Sequence, residues 1–228
     1  MPPLANDNPL STSGVAIVLG QVPEPETVGR PIGTPSVRGP DAIMIETPRL
    51  VLRPWRDSDR PLFAEQNADP IVMRFLLSVL TQEGSDAYVD RAEQHFAATG
   101  FGKWAVEAPG VAPFIGAVGL SRVGFEASFT PAVEVAWRLH RRYWGQGYAT
   151  EAARAAIEDG FARVGLTEIV ALTTLGNIPS MRVMERLGMT RTIEFDHPGV
   201  PEGNPLRRHI LYRLSCDPRG HAPDAEGC

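Results

Sequence analysis

Gly145-Gln146-Gly147 restricts the fold of this chain more than any other stretch. Before it, residues 133–139 alternate: Val133, Val135, Trp137 and Leu139 on one face, Glu134, Ala136 and Arg138 on the other. That alternation predicts a strand. After it, residues 149–164 place Ala153, Ala156, Ile157 and Phe161 on one stripe, which predicts a helix. Residues 168–173 are a nearly unbroken apolar run and predict a central strand. Strand, tight loop, helix and strand in that order predict a crossover between two parallel strands of one sheet. The glycines permit positive φ and close backbone approach. The helix start adds unpaired N–H groups and the positive end of a dipole. Together they make an anion site, most often for phosphate. The plainer alternative is a glycine turn in front of a helix.

The remaining pattern surrounds that crossover. Residues 50–53 read as a first strand, closed by Trp55-Arg56-Asp57-Ser58-Asp59, where Ser58 or Asp59 can cap a short helix to Asn67. Asp69-Pro70 offers another helix start leading into Val72–Phe75, and residues 85–98 read as a helix. Residues 103–107 and 114–120 read as strands joined at Pro109-Gly110. Gly116 and Gly119 suggest close packing or a bulge in the second. Pro179 opens a helix with the stripe Met181, Val183, Met184 and Leu187, ended by Gly188. Strands at 189–195 and 209–214 flank a loop rich in proline and glycine. Three successive strands with short links favour antiparallel pairing. The expected class is α+β, or mixed α/β, around one sheet.

Residues 1–43 hold eight prolines, five glycines and no aromatic residue, so they are expected to be disordered or loosely packed. Met44 opens the patterned region and is a candidate initiator. Residues 215–228 read as a polar tail, leaving 44–214 as one domain. The net charge of −5 comes mostly from these ends: residues 44–214 carry 19 basic against 20 acidic residues. A near-neutral domain gives no nucleic-acid footprint. One lysine, Lys103, stands against 21 arginines, a bias read as genome composition. No apolar run is long enough to span a bilayer, and the N-terminus has no signal-peptide pattern. The two cysteines, Cys216 and Cys228, lie near the end, so no disulfide framework is expected and a cytoplasmic setting is. His197 and His209 flank the late loop with poor metal spacing, so no metal is expected.

Arg142-x-x-Gly145-x-Gly147, Thr47-Pro48-Arg49-Leu50-Val51-Leu52-Arg53, and Asn177-x-x-Ser180 followed by Leu187-Gly188-Met189 occur in that spatial logic: strand, phosphate loop, later helix. Over residues 44–214 they resemble the GNAT superfamily of acyl-CoA N-acyltransferases, and within it the branch of the ribosomal-protein N-acetyltransferases of RimJ/RimL type. The resemblance implies a single domain whose mostly antiparallel sheet has one splayed parallel strand pair, with flanking helices. It implies acetyl-CoA as co-substrate, held by Arg142, Gly145, Gln146, Gly147, Tyr148, Ala149 and Thr150 around the pyrophosphate. It places the thioester along the backbone of Trp137 and Leu139 and gives Asn177 and Ser180 contacts farther along the cofactor.

An amine attacking a thioester must lose a proton, and Glu134, on the strand lining the implied cleft, is the candidate base. The alternative is an exposed strand glutamate in a structural ion pair. Glu107 and Glu126 are weaker candidates. The leaving thiolate needs a stabiliser. Many members use a tyrosine that corresponds here to Met184, so Ser180 is the remaining hydroxyl, or else an N-terminal helix serine bonded locally. Asn177 has a turn-forming alternative, and Glu151 can be read as an acid favoured in a first helical turn. Trp55, Phe75 and Tyr88 are candidate borders of the acceptor pocket. The acceptor implied is a primary amine, either a protein N-terminus or a small molecule. A catalytically silent acyl-CoA-binding module is the competing class. No nucleic-acid or membrane partner is expected, and the oligomeric state stays open, a homodimer included.

Overall fold

The computed structural model describes residues 43–216. The extension expected for 1–43 and the tail expected for 215–228 therefore lie almost wholly outside the described residues, as does Cys228. One eight-stranded sheet runs through the domain. In chain order the strands are β1 (Ile45–Glu46), β2 (Val51–Arg53), β3 (Lys103–Ala108), β4 (Ala112–Arg122), β5 (Val133–Leu139), β6 (Glu168–Thr174), β7 (Thr190–Asp196) and β8 (Arg208–Ser215). Their spatial order is β1-β2-β3-β4-β5-β6-β8-β7. All neighbours pair antiparallel except β5 and β6, which are parallel, as the crossover required.

The helices are α1 (Asp59–Ala68), α2 (Gln82–Thr99), α3 (Tyr148–Ala162) and α4 (Ile178–Arg186). α3 is the crossover helix. Ala152, Ala153, Ala156, Ile157 and Phe161 are buried on one side of it, the stripe expected from the sequence. Its small residues let the axis lie close to the sheet: a Cβ on Gly160 would press on Leu120 and Ile169. Leu139, Val135, Ile169 and Ala171 complete that core. The opposite face of the sheet is covered by α1, α2 and the turns between them, through Phe63, Tyr88, Val89 and Met73 against Ala105 and Ala117. β5 is thus covered on both faces. Its alternation is not apolar-in and polar-out: Glu134 on the second face is buried as well.

Several local expectations change. α2 begins at Gln82, three residues before the expected start, because Thr81 Oγ1 accepts from Gly84 N–H at 3.2 Å and caps it. Asp69-Pro70 starts no helix; residues 70–77 are a series of turns. Asp59 does not cap α1. Its carboxylate is buried against Arg53, with bonds of 2.7 and 2.9 Å, and it accepts the Arg56 N–H at 2.8 Å. β4 is longer than expected, and at Gly116 or Gly119 a Cβ would overlap the backbone of β5 or of the segment before β3. Those glycines therefore mark close strand approach. The edge strand β1, of two residues, carries no periodic signal and was not anticipated.

Candidate active site

β5 and β6 share a single register pair, Glu134 with Val170, near the start of both strands. Beyond it they part. The gap belongs to a cleft of about 480 Å³ lined by residues 134–139 of β5, Leu172 and Thr173 of β6, the glycine loop, and α4.

The backbone of β5 has a determined direction there. His140 N–H donates to Ile115 O of the β4 side at 2.9 Å. Alternate residues of an antiparallel strand face the same neighbour, so Arg138, Ala136 and Glu134 direct their backbone groups toward β4. Val135 directs its N–H to β6 at the Glu134–Val170 pair, and Trp137 and Leu139 direct their backbone groups into the gap. Trp144 Nε1 takes up one of them, donating to Leu139 O at 2.8 Å.

The glycine loop closes one end. Gly145 and Gly147 have φ of +74° and +80°, values that L side chains rarely adopt. Gly147 is the N-cap of α3 and its side bears no capping group. Among the described residues, the N–H groups of Tyr148, Ala149 and Thr150 have no acceptor. Glu151 could have met them. Instead its carboxylate accepts Thr47 Oγ1 at 2.7 Å, Arg49 N at 3.0 Å and Arg49 Nε at 2.7 Å. Burial would raise its pKa, but the bonds from Thr47 and Arg49 outweigh it and hold the carboxyl below its ordinary range. The free helix end with the positive dipole is a site that an anion fits. Arg49 adds a cation: its Nη1 donates to Gln146 O at 2.9 Å and its guanidinium lies 4.8 Å from the Tyr148 ring.

At the floor, Glu134 is buried. Its Oε1 accepts Ser121 Oγ at 3.1 Å and lies 3.6 Å from Lys103 Nζ. The chain's single lysine is therefore the counter-ion of the candidate base. Arg138, four residues further along β5 on the same face, is half-buried, and burial pushes its pKa below the usual arginine range. On the other bank His209 is fully buried and borders the cleft. Its Nδ1 lies 3.0 Å from Arg207 O. A carbonyl only accepts, so Nδ1 carries the proton and Nε2 is a bare lone pair. Nε2 has no partner among the described residues. Burial lowers the pKa of His209. His197, its ring 5.0 Å away, is lowered to about 4, by burial first, with His209 and Arg207 adding to the effect.

Of the residues singled out from sequence, Glu134, Trp137, Leu139, Gly145, Gly147, Tyr148, Ala149, Thr150, Asn177 and Ser180 all line this one cleft. Arg142 and Gln146 do not. The Arg142 guanidinium donates to Glu65 at 3.0 Å and contacts His140. Gln146 is exposed and donates to Arg142 O. Asn177 is the N-cap of α4: its Oδ1 accepts Ser180 N–H at 3.4 Å and its Nδ2 donates to Thr173 Oγ1 at 2.9 Å. The Ser180 hydroxyl has no partner among the described residues. Met184, where the resemblance would place a tyrosine, is buried at the cleft wall. Phe75 and Tyr88 line the cleft; Trp55 instead packs on Phe63 and Phe114 and donates to Lys103 O. Glu107 is taken by Arg53 and Arg56, and Glu126 does not reach the cleft. Arg49 was named only within the first-strand motif and His209 only as flanking the late loop; Lys103 and Arg138 were missed as site residues. Of these two, Lys103 alone gave a sequence signal, being the one lysine in a chain that otherwise uses arginine.

Among the described residues no helix is long and apolar enough to cross a membrane, and no cluster of three or more His, Cys, Asp or Glu could hold a metal ion. Residues 49–190 match the family model of the acetyltransferase (GNAT) domain. The chain is 32% identical over 171 residues to the N-acetyltransferase YnaD of Bacillus subtilis (strain 168), covering 75% of this chain and 95% of that one. It is 30% identical over 172 residues to the FsC-acetyl coenzyme A-N(2)-transacetylase of Aspergillus fumigatus, covering 70% and 72%. Among solved structures, a GNAT acetyltransferase from Bacillus anthracis is similar with a TM-score of 0.64 at 26% identity, covering 76% of this chain and 98% of that one. RimL, a ribosomal L7/L12 α-N-protein acetyltransferase in complex with coenzyme A, shares the fold with a TM-score of 0.62 at 17% identity, covering 76% and 98%. The splayed parallel pair, the open helix terminus beside it and these matches lead to one conclusion: the chain belongs to the GNAT family and is an acyltransferase that uses acetyl-CoA.

Proposed function

We propose that this enzyme transfers acetyl to a primary amine by direct attack on the thioester, with Glu134 as the base. The supporting observation is that a buried carboxylate sits at the one point where β5 and β6 still pair, at the apex of the cleft. Acetyl-CoA supplies the activated acyl group as a thioester. The rest falls to residues of this chain. The free N–H groups of Tyr148, Ala149 and Thr150, with the loop at Gly145 and Gly147, hold the pyrophosphate. Arg49 lies against that loop; Arg142, paired with Glu65, adds charge from outside the cleft. The cleft-facing N–H group of Trp137 meets negative charge as it develops on the carbonyl oxygen. Asn177 keeps one amide proton for the pantetheine arm. Glu134 accepts the amine proton, directly or through a water, as the N–C bond forms and the C–S bond breaks. The departing sulfur takes a proton from solvent or meets the Ser180 hydroxyl.

The resemblance to the RimJ/RimL branch favours a protein N-terminus as acceptor; a small amine is the other class. Thiol release from acetyl-CoA over a panel of peptides and small amines decides between them. Tight binding of coenzyme A with no thiol release on any amine would instead return the silent binding module.

A further inference from the structure

Among the described residues Arg138 is a cation with no anion. Its Nη1 donates to Asn67 Oδ1 at 2.7 Å, and its guanidinium lies 5.3 Å from the Tyr88 ring and 5.8 Å from that of Phe63. Among the described residues no carboxylate lies within 4 Å of it. The other inward arginines behave differently: Arg53 holds Asp59 and Glu107, and Arg60 holds Asp90 and Glu93. Nor can Glu134 serve, since Lys103 already answers its charge. The guanidinium is also held in place. Asn67, its partner, is fully buried and donates to Ser85 Oγ at 2.9 Å, and Gln66 Nε2 donates to the Arg138 carbonyl at 2.9 Å. Burying a charge among neutral groups is costly unless something compensates it. Arg138 lines the cleft, and so does Tyr88, over whose ring the guanidinium lies, so the compensation is available from a bound ligand. A planar fork of N–H donors matches a carboxylate two-point contact.

The placement says which ligand. Arg138 lies on the Glu134 face of β5, opposite the face covered by α3, where the cofactor loop begins. Glu134 and Arg138 are four residues apart, about 13 Å along a strand. We propose that Arg138 is the anion-recognition residue of the acceptor site, and that the preferred acceptor is a primary amine carrying a carboxylate several bonds away. This rests on the amine acetylation proposed above. An ω-amino acid satisfies both ends; an α-amino acid, with its two groups adjacent, does not.

The test compares kcat/KM for thiol release with γ-aminobutyrate, 6-aminohexanoate, glycine, and the plain alkylamines of matching length. The wild type is expected to favour the ω-amino acids over the alkylamines by tenfold or more, and over glycine by a similar factor. In Arg138→Gln the ratio of carboxylated to plain amine collapses toward one, and Arg138→Lys restores part of it. Coenzyme A binding, measured by Trp fluorescence, reports whether each variant keeps a folded cofactor site. Thiol release on plain amines without carboxylate preference in the wild type overturns the role of Arg138 and leaves the acetyl transfer standing. An unchanged ratio in Arg138→Gln does the same. A tenfold loss of coenzyme A affinity in that variant, with the ratio intact, assigns Arg138 to the cofactor and also overturns it. No thiol release on any amine or peptide removes both readings.

Discussion

The two ends of the cleft are made of different material. The cofactor end is backbone: the loop at 145–147 and the first turn of α3, contiguous in the chain. The acceptor floor is side chain: Lys103 from β3, Ser121 from β4, Glu134 and Arg138 from β5, Asn67 from α1, Tyr88 from α2 and His209 from β8. A site made of N–H groups needs only the residue types that shape a turn, so it is written locally. A site made of side chains needs the whole sheet assembled first. In the function proposed above, the first end holds the donor and the second meets the acceptor.

The sharpest way to break that contrast is at Glu134. Glu134→Gln is expected to lower kcat by about 10²–10⁴-fold and to remove the acid limb of the pH–rate profile, with little change in the KM for acetyl-CoA. Wild-type rates across pH would reject it as the base. A matched rise in the cofactor KM would mean that the two ends are not separable. The scaffold under the floor comes next. Arg53 and Asp59 are each about 2% exposed and doubly bonded. Asp59→Ala leaves a buried guanidinium with Glu107 and two backbone carbonyls, of Pro54 and Pro113, and should cost about 3–5 kcal/mol in urea unfolding. A loss under 1 kcal/mol would show that the start of α1 does not depend on this pair.

The same contrast explains what could be read from sequence. The crossover, the parallel pair, the α3 stripe and the loop follow from periodicity and from glycines at fixed offsets, and the structure has them where expected. Glu134 was legible only as a residue on the second face of a strand. Its burial was not, because α1 and α2 cover that face and their period is weak: Ser85 and His95 are buried beside Tyr88 and Val89. Arg138 and His209 carry no local mark at all, since what distinguishes them is a partner that is missing in space. Arg142 shows the converse. A motif position was legible, yet Glu65 on α1, distant in sequence, draws its side chain out of the cleft.

A titration separates the ends by a third route. His209 borders the cleft on the proposed acceptor side and His197 packs against it, whereas the loop at 145–147 has no ionisable group. The ordinary histidine value is 6.5, and His197 is held at about 4 in the folded protein. Between those values the unfolded chain binds more protons than the native one, so stability rises with pH. The full contribution is present above about pH 6.5 and is lost as the pH falls toward 4. At roughly 1.4 kcal/mol per unit, His197 alone supplies about 3 kcal/mol. Urea midpoints at pH 7.5, 6 and 5 should fall in that order, and His197→Gln should flatten the slope. Equal midpoints for the wild type at pH 7.5 and 5 would show that the pair is not buried neutral.

The smallest effects belong to the loop, where they are also the most diagnostic. Gly145 and Gly147 share nearly the same φ, so alanine at either carries a similar backbone cost, about 1–2 kcal/mol. Their surroundings differ. A Cβ at Gly147 meets Arg49 Nη2 at 3.3 Å, the far end of a side chain that can move, whereas a Cβ at Gly145 meets nothing within 4 Å. If the loop were only a turn, Gly145→Ala would lose stability and leave the KM for acetyl-CoA alone. If the loop holds pyrophosphate, the open space beside Gly145 is the approach path of the cofactor, and both variants raise that KM by about tenfold (near 1.4 kcal/mol) at similar kcat. Amine preference should not move in either. A change in amine preference from a substitution at Gly145 would join the two ends of the cleft into one site, and the division drawn between backbone and side-chain recognition would fail.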